Sequence, residues 1–290
     1  MGKAMRKVQT PLIDHATALE KCLEGVGDPA LLERYQEDLP DGNLVEADYL
    51  GHAQAATLYS LPRVSHQRGV DPIICGTLTK SNLTNLYSQY FVPETKPARR
   101  IYQRIKLASN GKCPLCGEIG HVRTLDHYLP KASFPLFSVL PGNLIPCCRD
   151  CNTEKLDAFS QTPGGQTLHP YFDADKYFVE KWVWARVHPG APPLIEYLVT
   201  PPAGWTNDEK NRVVSHFDQY GLAERFSVEA GADLPETILT RRTTLSDHSP
   251  QEFSSYLLEK SNNIGLPINN WRRAMFACLA EDPWFCSHAH

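Results

Sequence analysis

Apolar positions recur every three or four residues through much of the first hundred residues and again through the last eighty, the period of helices that bury one face. Leu19, Cys22 and Val26 keep that spacing between Ala16 and Val26, and Gly25 and Gly27 end the run. Asp28-Pro29 opens a second helix with Leu31, Leu32 and Tyr35 on its apolar face. The turn residues Leu39 to Asn43 precede a third helix, read from Ala47 to Leu61 and stopped by Pro62. Residues 62–82 carry no clean period. A helix from Thr79 to Phe91 and another from Ala98 to Ala108 follow, the second with Ile101, Ile105 and Ala108 in one stripe and Asn110-Gly111 as its left-handed end. Beyond residue 175 the period shortens to two. Val179 to Val187 and Leu194 to Val199 read as strands joined across His188 to Pro193. Thr206 to Glu209 is a capping box for a helix through Phe217, and helices continue to about Ala280.

Composition narrows the class. With 42% hydrophobic and 21% charged residues the 290-residue chain has material for a sizeable core. No run approaches the ~20 apolar residues that span a bilayer. The opening residues lack the apolar stretch of a signal peptide, and Arg6 stands where a myristoylation motif starting at Gly2 needs Ser or Thr. A cytoplasmic protein with no membrane partner is therefore expected. Nine cysteines, an odd number, argue against a disulfide framework, and five of them fall between 113 and 151. That clustering points to metal. The net charge is −4, yet Lys96 to Lys131 holds eight basic residues against Glu118 and Asp126. We read this stretch as a phosphate-contacting surface, with a merely solvated face as the bland alternative.

The cysteines form two pairs, Cys113-x-x-Cys116 and Cys148-x-x-Cys151, separated by 31 residues. A two-residue gap lets both thiolates of a knuckle reach one ion, and two knuckles complete a tetrahedral zinc site. Cys147, adjacent to Cys148, does not fit that geometry and reads as a small buried side chain.

Between the pairs lie Leu125-Asp126-His127-Tyr128-Leu129-Pro130 and Pro141-Gly142-Asn143-Leu144, and Cys151-Asn152-Thr153-Glu154-Lys155 follows. In order and spacing this segment, about one seventh of the chain, resembles the HNH endonucleases, whose ββα-metal element is frequently braced by zinc knuckles. The resemblance implies a metal-dependent DNA endonuclease. His127 would be the general base, Asp126 a metal ligand, Asn143 the residue that orients the histidine or the loop behind it, and Asn152 the second ligand of a catalytic Mg²⁺ or Mn²⁺. Lys155 would contact phosphate. These types suit the chemistry: a neutral imidazole activates water near pH 7, and a hard divalent ion on oxygen ligands acts as a Lewis acid. Adjacent strand positions point to opposite faces, so Asp126 could hold metal while His127 faces water. Bland readings stand beside these: Asn143 as a turn residue, Asn152 as a cap, Lys155 as a surface lysine.

The flanks (the CPxCG knuckle after a basic helix, His169-Pro170-Tyr171-Phe172-Asp173, and Asn269 to Cys286) are similar to HNH proteins encoded beside ATPases in bacterial anti-phage systems of the Septu or Zorya kind. That similarity implies an ATPase partner. His169 reads first as a satisfied structural histidine. Arg272-Arg273 could bind a partner or simply flank the buried Trp271. Cys286, His288 and His290 read as a frayed end before they read as a metal site. The expected fold is α+β: a helical N-terminal region over 1–95, a ββα-metal HNH element with its four-cysteine zinc site over 96–175, then a hairpin and a mainly helical region over 176–290. Two other functions remain open, a zinc-braced scaffold that binds nucleic acid or a partner without cutting, and a nuclease toxin held by an inhibitory partner.

Overall fold

A computed structural model describes residues 7–65, 69–156 and 158–288. Gly2, Arg6 and His290 lie outside the described residues. The architecture is α+β, mainly helical, with three small two-stranded antiparallel sheets among the described residues. Contacts divide the chain into two compact units. One comprises residues 8–113 and 120–173, the other 174–288 with Lys7 and the turn 114–119.

In the first unit, α1 (His15–Leu23), α2 (Pro29–Asp38) and α3 (Gly42–Gln54) each begin at an aspartate. Asp14, Asp28 and Asp41 accept from backbone N–H groups of their first turns, which satisfies donors that a helix start otherwise leaves open. The third helix starts five residues before the sequence reading and stops seven earlier. The turn-like Asp41-Gly42-Asn43 acts as its cap, and Ala56 (φ 55°) breaks it. The aperiodic stretch forms a small hairpin, β1 (Ile73–Cys75) and β2 (Leu78–Thr79), turned at Gly76 with φ 52°. Thr79 then caps α4 (Lys80–Asn85), which runs on as a π-helical turn, Leu86–Phe91, marked by the bond from Val92 N–H to Tyr87 O. α5 (Arg99–Leu107) turns Ile101, Tyr102 and Ile105 inward.

β3 (Thr124–His127) pairs with β4 (Leu144–Cys147), and α6 (Arg149–Lys155) follows. The register sets Asp126 opposite Ile145 and His127 opposite Leu144. Leu125 and Leu144 share one hydrophobic core with Ala18, Tyr35, Phe91 and Ile105. Residues on both sides of position 95 therefore fold around the same core, because the hairpin is too small to bury its apolar surface without the helices before it.

The second unit holds α7 (Lys176–Val179) and the hairpin β5 (Val183–His188) and β6 (Leu194–Val199). Four further helices pack around them: α8 (Asn207–Gln219), α9 (Leu222–Arg242), α10 (Pro250–Ser261) and α11 (Trp271–Glu281), with α12 (Pro283–Ser287) at the end. The first strand begins four residues after the sequence reading because α7 takes its start. The Thr206/Glu209 capping box forms as read. Trp182, Phe226, Phe253 and Phe285 are fully buried. Asn269 ties the chain together. Its Oδ1 accepts from the N–H groups of Trp182 (2.7 Å) and Val183 (3.0 Å), and its Nδ2 donates to Glu180 O (2.9 Å). No helix among the described residues is long and apolar enough to cross a membrane.

Candidate metal centre and the Asp126–His127 strand

The first knuckle follows the left-handed pair Asn110 (φ 54°) and Gly111 (φ 76°), where Cys113 N–H donates to Gly120 O at 2.9 Å. The second sits at a helix start. Cys148 is the N-cap of α6, and its Sγ accepts from Cys151 N–H at 3.4 Å. The ligand atoms of Cys113, Cys116, Cys148 and Cys151 all lie within 4.8 Å of one another, and all four residues are buried. None of the nine cysteines is in a disulfide. Four buried sulfurs converging on one point suit a tetrahedral zinc ion with Zn–S bonds of ~2.3 Å. A backbone N–H aimed at a sulfur further favours the thiolate that such an ion requires. Cys147 is buried, as read, with its Sγ 3.1 Å from Cys148 O.

The hairpin and α6 place the other candidates. His127 is only 7% exposed. Its Nε2 donates to Ser138 O at 2.8 Å, since a carbonyl only accepts, which leaves the lone pair on Nδ1. Its ring makes a T-shaped contact with Tyr87, with centroids 4.4 Å apart, and Tyr87 Oη donates to Leu125 O at 3.1 Å. Burial drives the pKa of His127 down to about 3, so the ring is neutral at pH 7.

Asp126 is also 7% exposed. Its Oδ2 accepts from Lys155 Nζ at 2.7 Å, and the same ammonium donates to His127 O. Burial raises the Asp126 carboxyl above its usual range, and the Lys155 charge opposes that rise. The strand does not present one residue to metal and the other to water as alternation suggests, because both faces of β3 are covered. Lys155 is 3% exposed and pairs inside the protein, so it is neither a surface lysine nor, in this geometry, a phosphate contact. The helix places it there: position 155 is one turn beyond Cys151, on the side that packs against β3.

Asn143 is wholly buried and acts on the loop behind the strand. Its Oδ1 accepts from Leu129 N–H (2.7 Å), while Nδ2 donates to Leu129 O (3.0 Å) and Phe137 O (3.2 Å). A chain of buried groups extends from it. Tyr171 N–H donates to His169 Nδ1 (3.3 Å), so His169 carries its proton on Nε2 and donates to Tyr49 Oη (3.1 Å). Tyr49 in turn donates to Asn143 Oδ1 (3.2 Å). His169 is the structural histidine it was read to be. Tyr49, Tyr87 and Ser138 were not singled out from the sequence. No short-range pattern marks them, since they reach the site from 38 to 120 positions away or through a backbone carbonyl.

Asn152 lies on α6, partly buried, and its carboxamide makes no hydrogen bond among the described residues. Arg272 forms a two-bond ion pair with Asp233 (2.6 and 2.8 Å), and Arg273 donates to Ser261 O (2.7 Å), which gives both a structural task. Cys286 Sγ points to Leu279 O and His288 Nδ1 contacts Trp284 O.

No family model matches the chain, and no solved structure matches it. Protein ea31 of Escherichia phage lambda is 33% identical over 293 residues, an alignment that covers 97% of this chain and 99% of the phage protein. With that identity sustained over nearly the whole of both sequences, the chain belongs to the family of protein ea31.

Proposed function

We propose that the chain is a metal-dependent HNH endonuclease that hydrolyses phosphodiester bonds in DNA. The observation that carries this reading is the state of His127, a neutral imidazole locked by Ser138 O with its Nδ1 lone pair left over, on the first strand of a β3–β4–α6 unit beside a four-cysteine centre. A base with that orientation removes a proton from water as the oxygen attacks phosphorus. The 3′ oxygen leaves and takes a proton from solvent water, giving a 5′-phosphate and a 3′-hydroxyl. Asp126 and Asn152 would hold Mg²⁺ or Mn²⁺, which supplies charge neutralisation at the phosphate and the departing oxygen when bound. Asn143 fixes the loop that follows His127. Lys155 then acts as a positioning residue that fixes Asp126 and the His127 carbonyl. Resemblance to HNH proteins of anti-phage systems adds an ATPase partner to the proposal, and the net charge of −4 suits a nuclease that gains DNA affinity from a partner.

A second reading rests on burial. Asp126 and His127 are each 7% exposed and Asp126 is already paired, which favours a zinc-braced binding scaffold. Incubation of supercoiled plasmid with Mg²⁺ or Mn²⁺ separates the two. The enzyme reading expects nicking or linearisation by the wild type and none by His127→Ala. Equal cutting by both removes His127 from catalysis.

A further inference from the structure

The surface of the first unit carries a groove of about 600 Å³ formed where the end of α1 meets the start of α5. Five cations line it, Lys21, Lys96, Arg99, Arg100 and Arg104, against two carboxylates, Glu24 and Glu94. Five minus two leaves a local charge of +3 on a chain whose net charge is −4. The two carboxylates are already engaged, Glu24 by Lys21 and Glu94 by Arg99. Lys96 donates to Gly25 O at 2.7 Å. Arg100 and Arg104 differ from these. Both are exposed, and neither forms an ion pair or hydrogen bond among the described residues.

These two arginines are four residues apart on one helix, so their guanidinium groups project from the same face, about 5–6 Å apart at the Cβ atoms. Each strand of duplex DNA carries a phosphate every ~3.4 Å of helix axis, so such a pair suits neighbouring phosphates. The opposite face of the same helix carries Ile101, Tyr102 and Ile105 into the core that contains Leu125 of β3 and Leu144 of β4. A strand held in the groove is thereby fixed to the element that carries His127.

We infer that the α1–α5 groove binds the phosphodiester backbone of duplex DNA through Arg100 and Arg104, a contact separate from the Asp126–His127 strand. The inference extends the nuclease reading, but binding is measurable without cleavage. The test is fluorescence anisotropy of a labelled DNA duplex with the full chain, in KCl series and without added divalent ion. Arg100→Ala/Arg104→Ala should weaken binding about tenfold and lower the salt slope by about 2, at ~0.9 per lost phosphate contact. Arg100→Lys/Arg104→Lys should keep most of the affinity, since phosphate accepts from either cation. Arg186→Ala, an exposed change on β5, should bind as the wild type does. Unchanged affinity and slope in the double alanine variant overturn the inference. So does a wild type that binds tripolyphosphate or ATP but no duplex, or binds no DNA at all. Groove-dependent binding by a protein that never cuts leaves the groove standing and removes the nuclease proposal. Cutting that ignores Arg100 and Arg104 does the reverse.

Discussion

The segment 113–155 and the C-terminal unit solve the problem of burial in different ways. In the first, polar and ionisable groups go inside: Asp126, His127, Ser138, Asn143 and Lys155 are all buried, beside four buried cysteines. In the second, the interior is mainly aromatic and aliphatic, built on Trp182, Phe226, Phe253 and Phe285, and its buried polar groups include Arg212, His216 and Asn269. A buried charge is costly unless paired, and apolar packing reaches the same stability at less expense. The buried pair of Asp126 on β3 and Lys155 on α6, beside the neutral His127, is therefore a cost that apolar packing would avoid, which fits the chemistry proposed for this segment. The contrast makes 113–155 the place to look for function and the C-terminal unit the place to look for scaffold.

The largest effect that would break this contrast is loss of the cysteine centre. Structural zinc supplies folding energy directly, of the order of 10 kcal/mol in isolated fingers. Cys113→Ser should lose its metal and melt far below the wild type, while elemental analysis of the wild type should return about one zinc per chain. Wild-type protein without zinc, or an unchanged melting temperature in the variant, would remove the centre.

Next in size is Lys155→Met, which strands the Asp126 carboxylate in the interior. Breaking a buried pair costs about 3–5 kcal/mol. Lys155→Met/Asp126→Asn should recover part of the loss. If the single variant unfolds in urea like the wild type, the pair contributes nothing and the charged core of this segment is a misreading.

Acid should find the first unit through His15. Both its ring nitrogens are buried, and burial, outweighing a contact with the Gly42 backbone, lowers its pKa to about 4. The folded state then resists a proton that the unfolded state accepts near pH 6.5. The stability His15 contributes is full above about pH 6.5 and is lost as the pH falls towards 4. The shift is worth on the order of 3 kcal/mol. His15→Phe should narrow the drop in melting temperature between pH 7 and 4.5, and an equal drop in both proteins would assign acid sensitivity elsewhere.

The smallest effect sharpens the comparison most. Asn143 and Asn269 are both buried asparagines that bind backbone on two sides. Each change to Ala leaves buried groups unsatisfied and should cost about 1–3 kcal/mol. Only Asn143→Ala should also lose cleavage at temperatures where both variants remain folded. Parallel loss of cleavage in the two would mean that activity merely tracks stability.

What the sequence disclosed follows the same division. The four-cysteine cluster was legible because a two-residue gap brings both thiolates of a knuckle to one point. The capping box at Thr206 and the hairpin strands around residues 183–199 were legible because local rules govern them. The burial of Lys155 was not, because one helical turn and the packing of α6 on β3 decide it. Tyr49 and Tyr87 were hidden for the same reason, being tied to the strand only by tertiary contacts. The early start of α3 was missed because Asp41-Gly42-Asn43 serves equally as a turn and as a helix cap.

The central claim, that β3–β4–α6 cuts DNA with His127 as its base, is tested most directly by end-group analysis. A labelled duplex would be incubated with Mn²⁺ and either the wild type or a fully zinc-loaded His127→Ala. The account predicts 5′-phosphate and 3′-hydroxyl ends from the wild type alone. Such ends from both proteins, or 3′-phosphate ends from the wild type, would contradict it.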